Sequence, residues 1–227
     1  SEELNYNVMF SPRGVITLFH SDAQRDAAAR RGNAMLAQGD DAELLDRDGL
    51  QKLLPYLDYD NGRFPVYGGL LHRRGGTARH DAVAWGYARA CSDMGMDIIQ
   101  KCEVTGIRRE GGKVTGVDTT RGAIDCDKLG LVVAGHSGHL AEMAGFRLPI
   151  ESVALQALVS EPIKPCMDVV VMANTVHGYM SQSDKGEMVI GGGADGYNNY
   201  TQRGSFHHIE ETVRALVETF PMISRLK

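Results

Sequence analysis

The residues of this 227-residue chain best suited to chemistry are histidines placed at turns. His80 closes the run Gly75-Gly76-Thr77-Ala78-Arg79-His80-Asp81 and stands where an alanine-rich pattern, Ala82 to Met94, predicts a helix. The partial positive charge at a helix N-terminus favours a neutral imidazole. Only that form is a nucleophile or a ligand. The alternative for His80 is a histidine that caps or packs beside a turn, and Asp81 reads as a plain first-turn carboxylate. His136 and His139 have the spacing of a metal pair, but no third ligand accompanies them. A strand-to-helix turn at Ala134-Gly135 is the better reading, because its backbone can approach a ligand that side chains would exclude. His207, His208 and Glu211 read as a solvated helix face rather than a ligand set, so no metal is expected. Tyr179 and Met180 either line a pocket or fill a core, and Gln182 is similar. The fingerprint G-x-G-x-x-G is absent. Gly191-Gly192-Gly193 lacks its spacing and reads as the start of an irregular loop.

The elements that must position these residues follow from periodicity. Val8-Met9-Phe10 and Gly14 to Phe19 read as a hairpin with Ser11-Pro12-Arg13-Gly14 at the turn. Ser21 to Ala37 reads as a surface helix capped by Ser21 or Asp22, and Asp40 to Leu54 as a second helix that ends before Pro55. Tyr56 to Gly69 is turn-rich. In the helix after His80, Ala84, Tyr87, Ala88 and Cys91 make one predicted buried stripe, and Gly95 is its cap. Asp97 to Gln100 reads as a short strand. Glu103 to Arg109 and Lys113 to Thr119 pair across Glu110-Gly111-Gly112. Asp127 to Ala134 is an apolar run typical of a strand buried on both faces. Ser137 to Ala144 is a helix closed by Gly145. Ser152 to Ser160, Val169 to Ala173, Gly178 to Ser181 and Glu187 to Gly191 form an antiparallel meander. Phe206, Ile209, Val213, Leu216, Val217 and Phe220 stripe a last amphipathic helix, stopped by Pro221. The fold class is therefore α/β, with mixed α+β character.

Composition narrows the function classes. The chain is 43% hydrophobic and 23% charged, with 27 glycines and a net charge of −5. That balance favours neither nucleic acid nor an anionic membrane as partner. No apolar run approaches the ~20 residues of a membrane helix. Four cysteines without C-x-x-C spacing suit a reduced, cytoplasmic chain with incidental thiols.

Several blocks closely resemble the β subunit of heterotetrameric sarcosine oxidase. They are Val8 to Val15, Gly75 to Trp85, Met96 to Gly106, Ala141 to Phe146, Leu155 to Ser160 and Tyr200 to Gly204. The wider glycine-oxidase and D-amino-acid-oxidase superfamily is similar only in its coarse helix–hairpin–strand plan. The resemblance implies oxidative demethylation of sarcosine to glycine, with hydrogen peroxide and formaldehyde, or methylenetetrahydrofolate when tetrahydrofolate is present. It implies hydride transfer to non-covalent FAD, then electron transfer to FMN and on to oxygen. It implies that His80 is the covalent attachment site of the FMN 8α carbon and that the backbone of Val104 holds the adenine end of FAD. Gly135 would lie near FAD and Tyr179 near the substrate, and the partners would be the other subunits. No catalytic residue is assigned.

The same resemblance implies an FAD-binding Rossmann-like domain interleaved with an antiparallel-sheet substrate domain. Residues 75–149 would be part of the former, and 1–74 and 150–227 part of the latter. The family's glycine-rich strand and helix would precede Ser1, and its flavin-proximal lysine would follow Lys227. The isolated chain is thus expected to bind FAD weakly or not at all and to have no oxidase turnover. The rivals are an oxidase or dehydrogenase of another N-methyl amino acid such as dimethylglycine, and a non-catalytic subunit-docking module.

Overall fold

Two apolar runs far apart in sequence, Val15 to Phe19 and Val170 to Ala173, lie side by side in one sheet. A computed structural model describes residues 2–60 and 63–227; Ser1, Asn61 and Gly62 lie outside the described residues. In chain order the elements are β1 (Val15–Phe19), α1 (Asp22–Ala37), β2 (Glu43–Asp46), α2 (Arg47–Leu53), β3 (Gly68–His72), α3 (His80–Asp93), β4 (Val104–Glu110), β5 (Lys113–Thr119) and β6 (Gly122–Asp125). There follow α4 (Ser137–Met143), β7 (Leu155–Pro162), β8 (Val170–Ala173), β9 (Gly178–Gln182), β10 (Glu187–Ala194) and α5 (Phe206–Thr219). None of these helices is long and apolar enough to cross a membrane.

The chain divides into two compact units. One comprises residues up to Gly86, Leu155–Ala194 and Arg203–Lys227. Its sheet has seven strands in the order β2-β3-β1-β8-β9-β10-β7. All neighbours are antiparallel except β1 and β8, which run parallel in the register Val15↔Val170. The core is built on Ile16, Leu50, Leu54, Leu71, Val171, Met180, Met188, Leu216 and Phe220. Helix α5 packs so closely on β9 that a Cβ at Gly178 would fall 2.7 Å from the Leu216 side chain. The other unit comprises Tyr87–Ala154 and Asp195–Gln202. It carries the three-stranded antiparallel sheet β4-β5-β6. Its first turn has Gly111 and Gly112 both at positive φ, the requirement of a two-residue hairpin.

The caps expected from sequence are present. The Ser21 hydroxyl accepts from the Gln24 amide, and Gly95 and Gly145 take positive φ after α3 and α4. Other expectations are corrected. Val8 to Phe10 forms no strand, because β1 takes β3 and β8 as partners and leaves that segment only a single bridge, Ser11 to Thr77. Within Asp40 to Leu54 the first part is β2, paired to β3, and the helix starts only where Asp46 caps it. On α3 the buried residues are Ala82 and Gly86, the latter facing Leu4 and Tyr6, while Ala84 is exposed and Tyr87 is 60% exposed. Neither Asp97 to Gln100 nor Asp127 to Ala134 is a strand, and Val132 is 95% exposed. An extended run becomes a strand only with a neighbour to bond, and no described strand pairs with either. Strand β10 continues through Gly191-Gly192-Gly193 instead of breaking into a loop there. Phe206 lies outside the α5 stripe, fully in solvent at the first turn.

His20, buried after β1, sets a pH dependence. Its Nδ1 lies 3.2 Å from both the Phe64 and Pro65 carbonyls, so it must carry the hydrogen; Nε2 is buried without a partner. Burial lowers the His20 pKa below its ordinary value near 6.5. The unfolded chain therefore takes up the proton first, and the stability from neutral His20 is lost as pH falls below about 6.5. Urea midpoints are expected to drop between about pH 8 and about pH 5, and to drop less in His20→Gln. A second expectation concerns the turn before α3. A Cβ at Gly76 would sit 1.9 Å from the Ser11 carbonyl oxygen. Gly76→Ala should cost roughly 1–3 kcal/mol in urea unfolding.

Candidate functional site

The start of α3 is fixed by backbone pairing and a side-chain clamp. Ser11 and Thr77 exchange both amide-to-carbonyl bonds, at 2.8 and 3.0 Å, and the Gly14 amide donates to Gly75 at 2.7 Å. Only a residue without Cβ fits at 76, so the glycine pair lets the two backbones touch. Immediately beyond, the Arg79 guanidinium grips the Asp81 carboxylate at 2.6 and 3.1 Å, and Asp81 also accepts from the Ala82 amide at 2.9 Å. The Arg79 hydrogen bond holds the Asp81 carboxyl below its usual range. Asp81 is therefore the anchor of the first turn. His80, between the two clamped residues, is exposed, and neither ring nitrogen has a hydrogen-bond partner among the described residues. The imidazole is presented outward and unshared, which suits a nucleophile and not a cap.

Val104 opens β4, the edge strand of the small sheet. Glu103 turns its carbonyl inward to the Thr120 amide at 2.9 Å. Strand alternation then directs the Val104 N–H and C=O to the free edge, where a ligand can use them. Gly135 lies in a 3₁₀ turn after Ala134, which has φ +46°. The Ser152 hydroxyl donates to the Gly135 carbonyl, so the turn is fixed and its exposed amide side remains open. His136 stacks on Tyr200 with centroids 4.9 Å apart. Tyr200 also borders a polar hollow of about 500 Å³ with Glu142 and Arg147. Among the described residues, no group of three His, Cys, Asp or Glu ligands includes His136 or His139.

Tyr179 lies in β9 directly opposite Gly191 of β10. Its ring covers that glycine: a Cβ at 191 would meet ring carbons at 2.2 Å. The same tyrosine lines a cavity of about 1060 Å³, with Phe64, Met172, His177, His208 and Arg214 among the walls. Met180 points the other way and is core. Gln182 is a buried anchor. Its side-chain oxygen accepts from the Cys166 and Met167 amides, and its nitrogen donates to the Lys164 and Gly186 carbonyls. Glu211 lies 3.4 Å from both the His207 and His208 rings, and this is an exposed helix face with one half-buried histidine.

One cluster escaped sequence reasoning. Asp40, Asp41 and His72 bring three ligand atoms within 4.8 Å of one another. The Arg74 guanidinium contacts both carboxylates, at 3.0 and 3.1 Å, and so already brings a positive charge to them. Residues 32 positions apart in sequence carry no local signal of such a meeting.

Comparison with known proteins gives the site its context. The chain matches the family described as FAD dependent oxidoreductase over residues 1–227. It is 66% identical, over its whole length and 55% of the relative's, to sarcosine oxidase subunit beta of Rhodobacter capsulatus. It is 60% identical, over all of its length and 54% of the relative's, to the protein of the same name from Rhizobium meliloti. The chain thus spans about half the length of the curated relatives it matches. L-proline dehydrogenase from P. horikoshii has the same fold, with a TM-score of 0.87 at 21% identity over all of this chain and 60% of that one. The match over every residue decides the assignment: the chain belongs to the FAD dependent oxidoreductase family.

Proposed function

We propose that the chain is part of a sarcosine oxidase β subunit, which oxidatively demethylates sarcosine to glycine with hydrogen peroxide and formaldehyde or methylenetetrahydrofolate. The observation that carries this reading is the whole-chain identity to two proteins of that name. The flavins supply hydride acceptance and delivery of electrons to oxygen; the chain's own residues hold, orient and shield. The outward amide of Val104 suits the adenine end of FAD, and the fixed, side-chain-free turn at Gly135 suits close approach to the same cofactor. The unit with the three-stranded sheet is the FAD-binding part, and the unit with the seven-stranded sheet is the substrate part. Tyr179 offers its phenol to the substrate from the apolar floor at Gly191. His80 tethers FMN: its exposed imidazole has both nitrogens unshared, and the Arg79–Asp81 clamp fixes the backbone that carries it. The other subunits of the oxidase are the partners, and four free thiols suit a cytoplasmic setting.

In the full-length subunit, His80→Ala should abolish covalent flavin. Denaturing gel fluorescence reads this directly, and flavin that stays with the denatured variant would show that the tether is elsewhere. Gly191→Ala should push the Tyr179 ring off the sheet. The expected result is a loss of about tenfold in kcat/KM for sarcosine, equivalent to about 1.4 kcal/mol. Unchanged kinetics would remove Tyr179 from the substrate site.

A further inference from the structure

The cavity beside Tyr179 contains two opposite charges that do not meet. Glu211 and Arg214 both line it from α5, one turn apart. At that spacing Cβ atoms lie about 5–6 Å apart and an acid and a base ordinarily pair. Here Glu211 is held between the His207 and His208 rings, and Arg214 has no ion-pair partner among the described residues. A carboxylate and a guanidinium kept apart on one wall match the ammonium and carboxylate of an α-amino acid. The charges of such a ligand are separated by a single carbon and would complete both groups at once.

The rest of the cavity fits that ligand. Gly192 and Gly193 add no side chains to the floor, and the Thr212 hydroxyl ties α5 to the Gly192 carbonyl at 3.2 Å. Phe64, Met172 and Val176 supply apolar wall for an N-alkyl group. His177, exposed at the rim, is in the left-handed region at φ +50°, a conformation unfavourable for a non-glycine residue. Its carbonyl accepts from the Gly193 amide at 3.3 Å, which locks the strained turn against the floor. At about 1060 Å³ the space is far larger than one small amino acid. It is therefore an antechamber that gathers substrate, not a second tight pocket.

We propose that this cavity captures zwitterionic amino acids, Arg214 taking the carboxylate and Glu211 the ammonium, before they reach Tyr179. The identity of the amino acid as sarcosine rests on the function proposed above; the capture of zwitterions does not. The test uses the assembled full-length enzyme. Steady-state kinetics of Arg214→Gln and Glu211→Gln should show kcat/KM for sarcosine lowered about tenfold, mostly through KM, the size of one charge-assisted hydrogen bond. Arg214→Lys should recover much of the loss. Isothermal titration with sarcosine and glycine should show weaker binding to both Gln variants, with acetate and methylamine affected far less. Equal affinities of wild type and both Gln variants for the zwitterions overturn the proposal. If the enzyme turns over no sarcosine yet the titrations differ as described, the oxidase reading fails and the capture site stands.

Discussion

The seven-stranded sheet depends on one parallel contact. Antiparallel ladders can be closed by short turns, and β8, β9 and β10, which follow one another in the chain, need little else. The β1–β8 pair has no such help: three residue pairs, anchored where the Val170 amide meets the Gly14 carbonyl at 3.1 Å, join the N-terminal strands to the meander. Ile16 and Val171 face each other there and are both fully buried. Without that seam, β2-β3-β1 and β8-β9-β10-β7 would be two small sheets with open apolar edges. With it, the segment that leads out of β1 toward His80 and the strands that carry Tyr179 belong to one unit.

Glycine decides where these parts touch. Gly76 lets the chain before α3 lie on Ser11, Gly178 lets α5 lie on β9, and Gly191 gives the Tyr179 ring a seat. The first contact is backbone on backbone and the other two seat a side chain on the glycine, and in all three an added methyl group would come within 3 Å of its neighbour. Two of the three flank residues proposed to meet flavin or substrate. The site is thus organised by the absence of side chains as much as by their presence.

What could be read from sequence and what could not divides along physical lines. The Ser21 cap, the Gly111-Gly112 hairpin, the β8-β9-β10 part of the meander and the α5 stripe without Phe206 depend on neighbours within a few residues, and local pattern found them; that β7 would cross to the far side of β10 was not legible. The runs Asp97 to Gln100 and Asp127 to Ala134 have strand composition but no described strand to bond, and composition cannot reveal that. The α3 stripe was placed on the wrong face because Leu4 and Tyr6, not a sheet, cover Gly86. Of the proposed site, the sequence singles out His80, Gly135 and Tyr179 by their places at turns and in a strand, and Val104 by the family resemblance alone. Arg214 and the Asp40–Asp41–His72 cluster were not marked, because each acquires meaning only from groups distant in the chain.

The parallel seam also has a consequence during synthesis. Strand β1 leaves the ribosome about 155 residues before its partner β8. At roughly 5–20 residues per second, that gap lasts on the order of ten to thirty seconds. For roughly the first third of it β1 has neither neighbour, and once β3 has followed on one side, the edge that will receive β8 stays unmatched until Val170 is made. A nascent chain in that state is a substrate for chaperones and for strand exchange with a neighbouring ribosome's product, so the yield of this protein should be governed by what shields one five-residue strand.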